Sequence, residues 1–108
     1  MVKKHIEITM NKYIEALKNK NIRVKIAILY GSVAAGLDNE DSDIDLAIVS
    51  PDLGQDRLKE SLILKKVTRD IDLDISPRPY SMEQYQKASR GDFLFDEIIL
   101  KGKIIYKD

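Results

Sequence analysis

A chain of 108 residues with 44% hydrophobic and 33% charged side chains has enough apolar material for one core and too little length for a second. Its 18 Lys and Arg balance its 18 Asp and Glu, so no general attraction for nucleic acid is expected, and the absence of cysteine excludes disulfides, thiolate metal sites and cysteine nucleophiles. No long apolar run or leader-like segment is present, which points to one cytoplasmic domain over 1–108 without a membrane anchor.

In chain order, residues 4–19 place Ile6, Met10, Tyr13, Ile14 and Leu17 at helical spacing, predicting an amphipathic helix that covers one face of a sheet. His5, the lone histidine, reads as a surface residue. Residues 22–30 form a β-branched run expected to be a buried strand. Gly31 permits a tight turn, Ser32 to Ala35 begin a short helix, and residues 36–42 are a loop. A second strand over 43–50 is stopped by Pro51. Residues 55–69 predict a helix with Leu58, Leu62 and Val67 toward the core.

From Asp70 to Pro77 strict alternation predicts a third, half-buried strand, with Ile71, Leu73 and Ile75 on the core face and Asp72 and Asp74 on the other. Pro77-Arg78-Pro79 reads as a stiff extended connector, and Ser81 to Gln84 as a capping box opening a short helix. Asp92 is expected to cap a last helix carrying Phe93, Phe95, Ile98 and Ile99, ended by Gly102 before a closing apolar segment at 104–106.

The charges are unevenly placed. Between Asp38 and Asp56 there are 7 acidic residues and no Lys or Arg. Asp38, Glu40, Asp52 and Asp56 read as a solvated loop, but Asp43 and Asp45 interrupt an apolar strand. On a strand they share one face, with Cα atoms roughly 6.5 Å apart. Paired carboxylates repel unless a cation lies between them, and with one histidine and no cysteine that cation must be hard and oxygen-bound, magnesium or manganese. The Gly31-Ser32 turn offers backbone N–H groups and a hydroxyl to a phosphate. A metal pair beside a phosphate cradle suggests a nucleoside triphosphate site.

Gly31-Ser32, ten further residues, and then Asp43-Ile44-Asp45-Leu46 resemble the signature of the DNA polymerase beta-like nucleotidyltransferase superfamily. The short Asp-Ser-Asp-Ile-Asp-Leu form, the length and the ending are similar to its minimal nucleotidyltransferases. The resemblance implies an α/β (α+β) nucleotidyltransferase fold, a small mixed sheet with flanking helices. It also implies Gly31 and Ser32 as nucleotide-binding residues, and Asp43, Asp45 and Asp72 (alternatively Asp74) as catalytic residues and ligands of two Mg2+ ions, with ATP as substrate. In the family's turn an arginine stands where this chain has Ala35, with Val33 before it. A cation for the phosphates would have to come from elsewhere: from Arg57, Lys65 or Lys66, which otherwise read as solvated surface residues, or from Arg78 just past the third acid, which fits a surface role equally. The implied activity is transfer of AMP, or another NMP, to a hydroxyl, as the antitoxin that AMPylates a HEPN-family toxin in a homo- or hetero-oligomer. The alternatives are a weak nucleotide- or partner-binding module and an aminoglycoside-type transferase.

Overall fold

The computed structural model describes residues 3–37 and 42–108. Helix α1 (Lys4–Asn19) buries the five side chains that its periodicity selects, Ile6, Met10, Tyr13, Ile14 and Leu17, while His5 is exposed. Strand β1 (Ile26–Tyr30) is buried along its whole length and runs into a five-residue helix α2 (Gly31–Ala35). Strand β2 (Ile44–Val49) pairs antiparallel with β1, and helix α3 (Arg57–Thr68) then carries the chain across to strand β3 (Ile75–Tyr80), which lies parallel to β2. A short helix α4 (Met82–Lys87), a π-helical turn (Leu94–Ile99) and strand β4 (Lys103–Lys107) complete the chain. The result is a mixed sheet in the order β3-β2-β1-β4 with helices on both faces.

Alternation along the central strands makes two cores. Ala27, Leu29, Ile44, Leu46, Ile48 and Ile75 turn toward α1 and Leu64 of α3. Ile26, Ile28, Tyr30, Ala47 and Val49 turn the other way, under Leu94 and Ile98 of the π-helical turn and partly buried Met82 and Tyr85 of α4. Each fully buried aliphatic side chain contributes roughly 1.5–3 kcal/mol, so the two faces together anchor the sheet from which the site is built. Tyr13 is buried without losing its hydrogen bond, since its hydroxyl donates to the Leu64 carbonyl at 2.8 Å and ties α1 to α3.

Three sequence expectations are corrected. Leu58 and Leu62 do not face the core: both are exposed, and Leu64 with partly buried Val67 makes the α3 contact. The alternating segment 70–74 is not a strand but a turn, held by Ile71 and Asp72 N–H donors to the Thr68 carbonyl and by Lys65 Nζ on the Leu73 and Ile75 carbonyls. The strand begins only at Ile75 and runs through the two prolines expected to form a connector. It tolerates them because β3 is an edge strand. Asp74 and Tyr80 carbonyls accept from Ile44 and Ser50, so the even-numbered residues bond to β2. Pro77 and Pro79 therefore turn their missing N–H toward the open edge.

The last helix differs as well. The Asp92 carboxylate accepts from Ser89 N–H and does not cap it, and the Leu100 N–H to Phe95 carbonyl bond spans five residues, which makes a wide turn. The capping box at Ser81 and Gln84 forms as expected.

Asp52 and Asp56 are not merely solvated. Asp52 takes a two-pronged grip from Arg23 (Nη2 to Oδ1 2.7 Å, Nε to Oδ2 3.1 Å), which holds its carboxyl down at about 2. Asp56 caps α3 by accepting from Lys59 N–H. Glu60 completes this corner: burial would raise its pKa, but the N–H groups of Gly54, Asp56 and Gln55 donate to its carboxylate and the net shift is downward. Glu60→Ala leaves three backbone donors without their acceptor and should lower stability by about 2–3 kcal/mol in chemical denaturation, without altering nucleotide binding.

Candidate active site

β1 delivers Tyr30 to the C-terminal end of a central strand, and the chain must then reverse direction to start α2. Gly31 makes this possible by adopting φ +75°, a left-handed conformation costly for any other residue. The reversal presses the turn against β2. The Asp45 carboxylate occupies the space where a Cβ on residue 31 would stand, with Cγ 3.2 Å from that position. The glycine is thus required twice, for its backbone angle and for the acid packed on it.

Asp45 pairs across the sheet with Tyr30, and Asp43 stands just before β2, exposed. The Asp45 carboxyl is pushed above the usual carboxylate range, first by burial and then by the neighbouring Asp43 charge. A partly buried carboxylate beside a second acid carries its charge at a cost, which a nearby cation would relieve. Tyr30, Gly31, Ser32, Ala35, Leu37, Asp45, Phe93, Glu97 and Lys101 line a cavity of about 470 Å³, so the turn, one acid and the π-helical turn share one chamber.

Not every residue singled out in the sequence joins this chamber. Asp72 lies in the turn before β3, where its Oδ1 accepts from Asp74 N–H at 2.9 Å. Asp74 is exposed, but its carbonyl accepts from Ile44 N–H, so its backbone runs beside Asp43. Among the described residues no three Asp, Glu, His or Cys side chains are grouped closely enough to hold a metal ion. The β3 residue in register with Asp45 is Ser76, not an acid. Asp72 lies in the turn before β3 rather than in the strand, so it does not take the position facing Asp45.

Of the expected phosphate cations, Lys65 is engaged in closing the turn before β3, and Arg57 and Lys66 are exposed on α3. Arg78 is different. It shares the sheet face of Asp45 and Ser76, with its guanidinium carbon 4.5 Å above the Phe93 ring and 5.9 Å from the Tyr80 ring. Phe93 in turn meets Tyr30 edge-on at 6.1 Å between centroids. Tyr30 is pushed up by burial and by Asp45, with Arg78 pulling back, so its hydroxyl feels both charges. Phe93, Glu97 and Lys101 were not expected at the site. They arrive through the wide helical turn, which no sequence signal marks.

Over residues 11–108 the sequence matches the family described as Polymerase beta, Nucleotidyltransferase. The chain belongs to this nucleotidyltransferase family. Among solved structures, this nucleotidyltransferase is similar to a Sulfolobus solfataricus protein assigned as a nucleotidyltransferase, with a TM-score of 0.65 at 13% identity, over 95% of this chain and 81% of that one. A toxin-antitoxin structure with AMP-PNP gives a TM-score of 0.58 at 23% identity, over 91% and 73% of the two chains. The Shewanella oneidensis complex of a tri-AMPylated HEPN toxin with its MNT antitoxin gives 0.54 at 20% identity, over 94% and 72%. At these identities the likeness is one of fold. No curated protein sequence matches the chain significantly.

Proposed function

We propose that the chain, acting as a single nucleotidyltransferase domain in the cytoplasm, is a magnesium-dependent enzyme that moves AMP from ATP to a hydroxyl of a HEPN-family toxin and so serves as its antitoxin. The observation that carries this reading is the contact between Gly31 and Asp45, which joins the phosphate turn to one acid of the pair in one cavity. The toxin-antitoxin complexes among the structural neighbours, one with AMP-PNP and one with an AMPylated toxin, support the choice of donor and partner.

The donor set fits a hard divalent cation: Asp43 and Asp45 offer oxygen ligands and their mutual repulsion favours its arrival. Bound there, such an ion neutralises charge on the triphosphate and on the leaving pyrophosphate. The chain's own groups do the rest. Ser32 and the backbone of the turn hold the phosphates, and Tyr30 and Phe93 provide aromatic wall for the nucleoside. The acceptor oxygen bonds to the α-phosphorus, the bond to the β-phosphate oxygen breaks, and pyrophosphate leaves with its electron pair. The acceptor proton passes to a carboxylate; Asp74, whose backbone lies beside Asp43, is better placed than Asp72, which is held in its turn.

Two observations favour a second reading, a weakly active module that binds nucleotide or partner. Ser76 stands beside Asp45, and Ala35 brings no charge to the turn. One experiment separates the two. The protein is incubated with α-labelled ATP and Mg2+, with and without a HEPN toxin from the same operon. Label on the toxin, lost in Asp43→Asn, is expected. Stable complex formation without label supports the module instead, and label on an aminoglycoside alone overturns both.

A further inference from the structure

Ala35 leaves the turn without a charge, but the cavity around it holds one. Among the described residues that line the cavity, Lys101 is the only Lys or Arg, set against the carboxyl groups of Asp45 and Glu97. Backbone on either side fixes its place. The wide turn closes at Leu100, whose N–H donates to the Phe95 carbonyl at 2.9 Å, and the Gly102 N–H donates to the Ile98 carbonyl at 2.8 Å. A Cβ on residue 102 would stand 2.7 Å from Ile28 Cγ2 and 2.8 Å from the Leu29 carbonyl oxygen, so the chain there lies directly on β1. Leu29 is two residues before Gly31, and Lys101 is therefore anchored beside the strand end that carries the phosphate turn.

In this structure Lys101 Nζ faces Glu97, 3.0 and 3.2 Å from its two carboxylate oxygens. The two side chains are 66% and 43% exposed and stand four residues apart. An exposed pair of this kind is weak, about a two- to fivefold effect on an equilibrium. A triphosphate bound beside it concentrates negative charge in a partly enclosed space, where attraction is less screened than at an open surface. The flexible lysine stem can turn its three donors from one partner to the other without moving the backbone.

We propose that Lys101 binds the triphosphate, and that Glu97 occupies its ammonium until the nucleotide arrives. The inference rests on the nucleotidyltransferase reading and assigns to it the cation that Ala35 does not provide. Glu97 then opposes binding in two ways: it must release Lys101, and it repels the incoming phosphates. The two residues thus have opposite effects on the same equilibrium, although they form one ion pair. A pair serving only to brace the wide turn would leave affinity indifferent to either substitution.

The test measures Kd by calorimetry for a non-hydrolysable ATP analogue with Mg2+, and for adenosine. Lys101→Met should weaken the analogue by about tenfold or more, the worth of a charge-assisted hydrogen bond, and leave adenosine unchanged. Lys101→Arg should keep most of the affinity. Glu97→Gln should tighten the analogue by about two- to fivefold, the worth of the exposed pair it removes, and that gain should shrink in the Lys101→Met background. Lys87→Met is the control, because it breaks the matching pair with Glu83 outside the cavity and should change nothing.

A Lys101→Met protein that binds the analogue like wild type overturns the proposal, as does an equal loss for adenosine, which marks a change of shape rather than of charge. Weaker binding in Glu97→Gln makes Glu97 a positioning partner and overturns its role as occupant. A loss in Lys87→Met as large as in Lys101→Met reduces the effect to overall charge and overturns it too. A wild type that binds neither the analogue nor ATP removes the nucleotidyltransferase reading as well. Binding that survives Lys101→Met leaves that reading standing and removes only this inference.

Discussion

Asp43→Asn and Asp45→Asn should each lower nucleotidyl transfer by about a thousandfold, since each removes ligand charge worth several kcal/mol at the transition state. Their effects on stability should differ. Asp45 is held above its ordinary pKa by burial and then by Asp43, so folding disfavours its charged form. The sign follows directly. The group's contribution to stability is complete below the unfolded carboxylate pKa and is lost as pH rises through the higher folded value. At neutral pH an ionised Asp45 therefore weakens the fold, and Asn at this position does not. Thermal melts should show Asp45→Asn more stable than wild type at pH 8, with the gap closing as pH falls toward the carboxylate range.

Magnesium should act in the opposite sense. An ion that binds only the folded state raises the melting temperature of wild type, and it should do so far less in Asp45→Asn. An Asp45→Asn protein that melts below wild type at pH 8, with an undiminished magnesium response, would show that the pair is an ordinary solvated acidic edge.

Much of this architecture is legible in the sequence because its strongest signals are periodic. The spacing of Ile6, Met10, Tyr13, Ile14 and Leu17 selects the buried face of α1 residue by residue. The apolar run before Gly31 and the capping box at Ser81 are equally direct. The β3 region misleads because its alternation is a decoy. Leu73 is 67% exposed, and the aspartates on either side belong to a turn closed by Lys65. The true strand hides behind Pro77 and Pro79, which are admissible only in a register that points their nitrogens outward, and register is a tertiary fact.

The same limit explains the site. Gly31, Ser32, Asp43 and Asp45 announce themselves by type and spacing. Whether an acid, Ser76 or Arg78 faces Asp45 depends on how β2 and β3 align, and a shift of one residue reverses every side chain. Phe93, Glu97 and Lys101 reach the cavity because a helical turn is one residue wider than the 3.6-residue period that sequence reading assumes.

Gly31→Ala should be the most damaging change outside the acid pair, and Gly36→Ala shows how to read it. The two glycines have almost the same backbone angle, φ +75° and φ +74°. Either substitution imposes the left-handed penalty of roughly 1–2 kcal/mol. At Gly36 an added Cβ meets nothing within 4 Å, so that penalty is the whole effect. At Gly31 the new carbon collides with the Asp45 carboxylate, which packs directly on the glycine. Either the turn or the acid must move, and both belong to the proposed site. Gly36→Ala should thus lose about 1–2 kcal/mol in denaturant titration with transfer nearly intact. Gly31→Ala should lose more stability and at least about a hundredfold in transfer rate, the cost of an ångström-scale misplacement of a reacting group. If the two variants prove equally active, the Gly31–Asp45 contact is only a feature of packing, and the join between turn and acid does not define the active site.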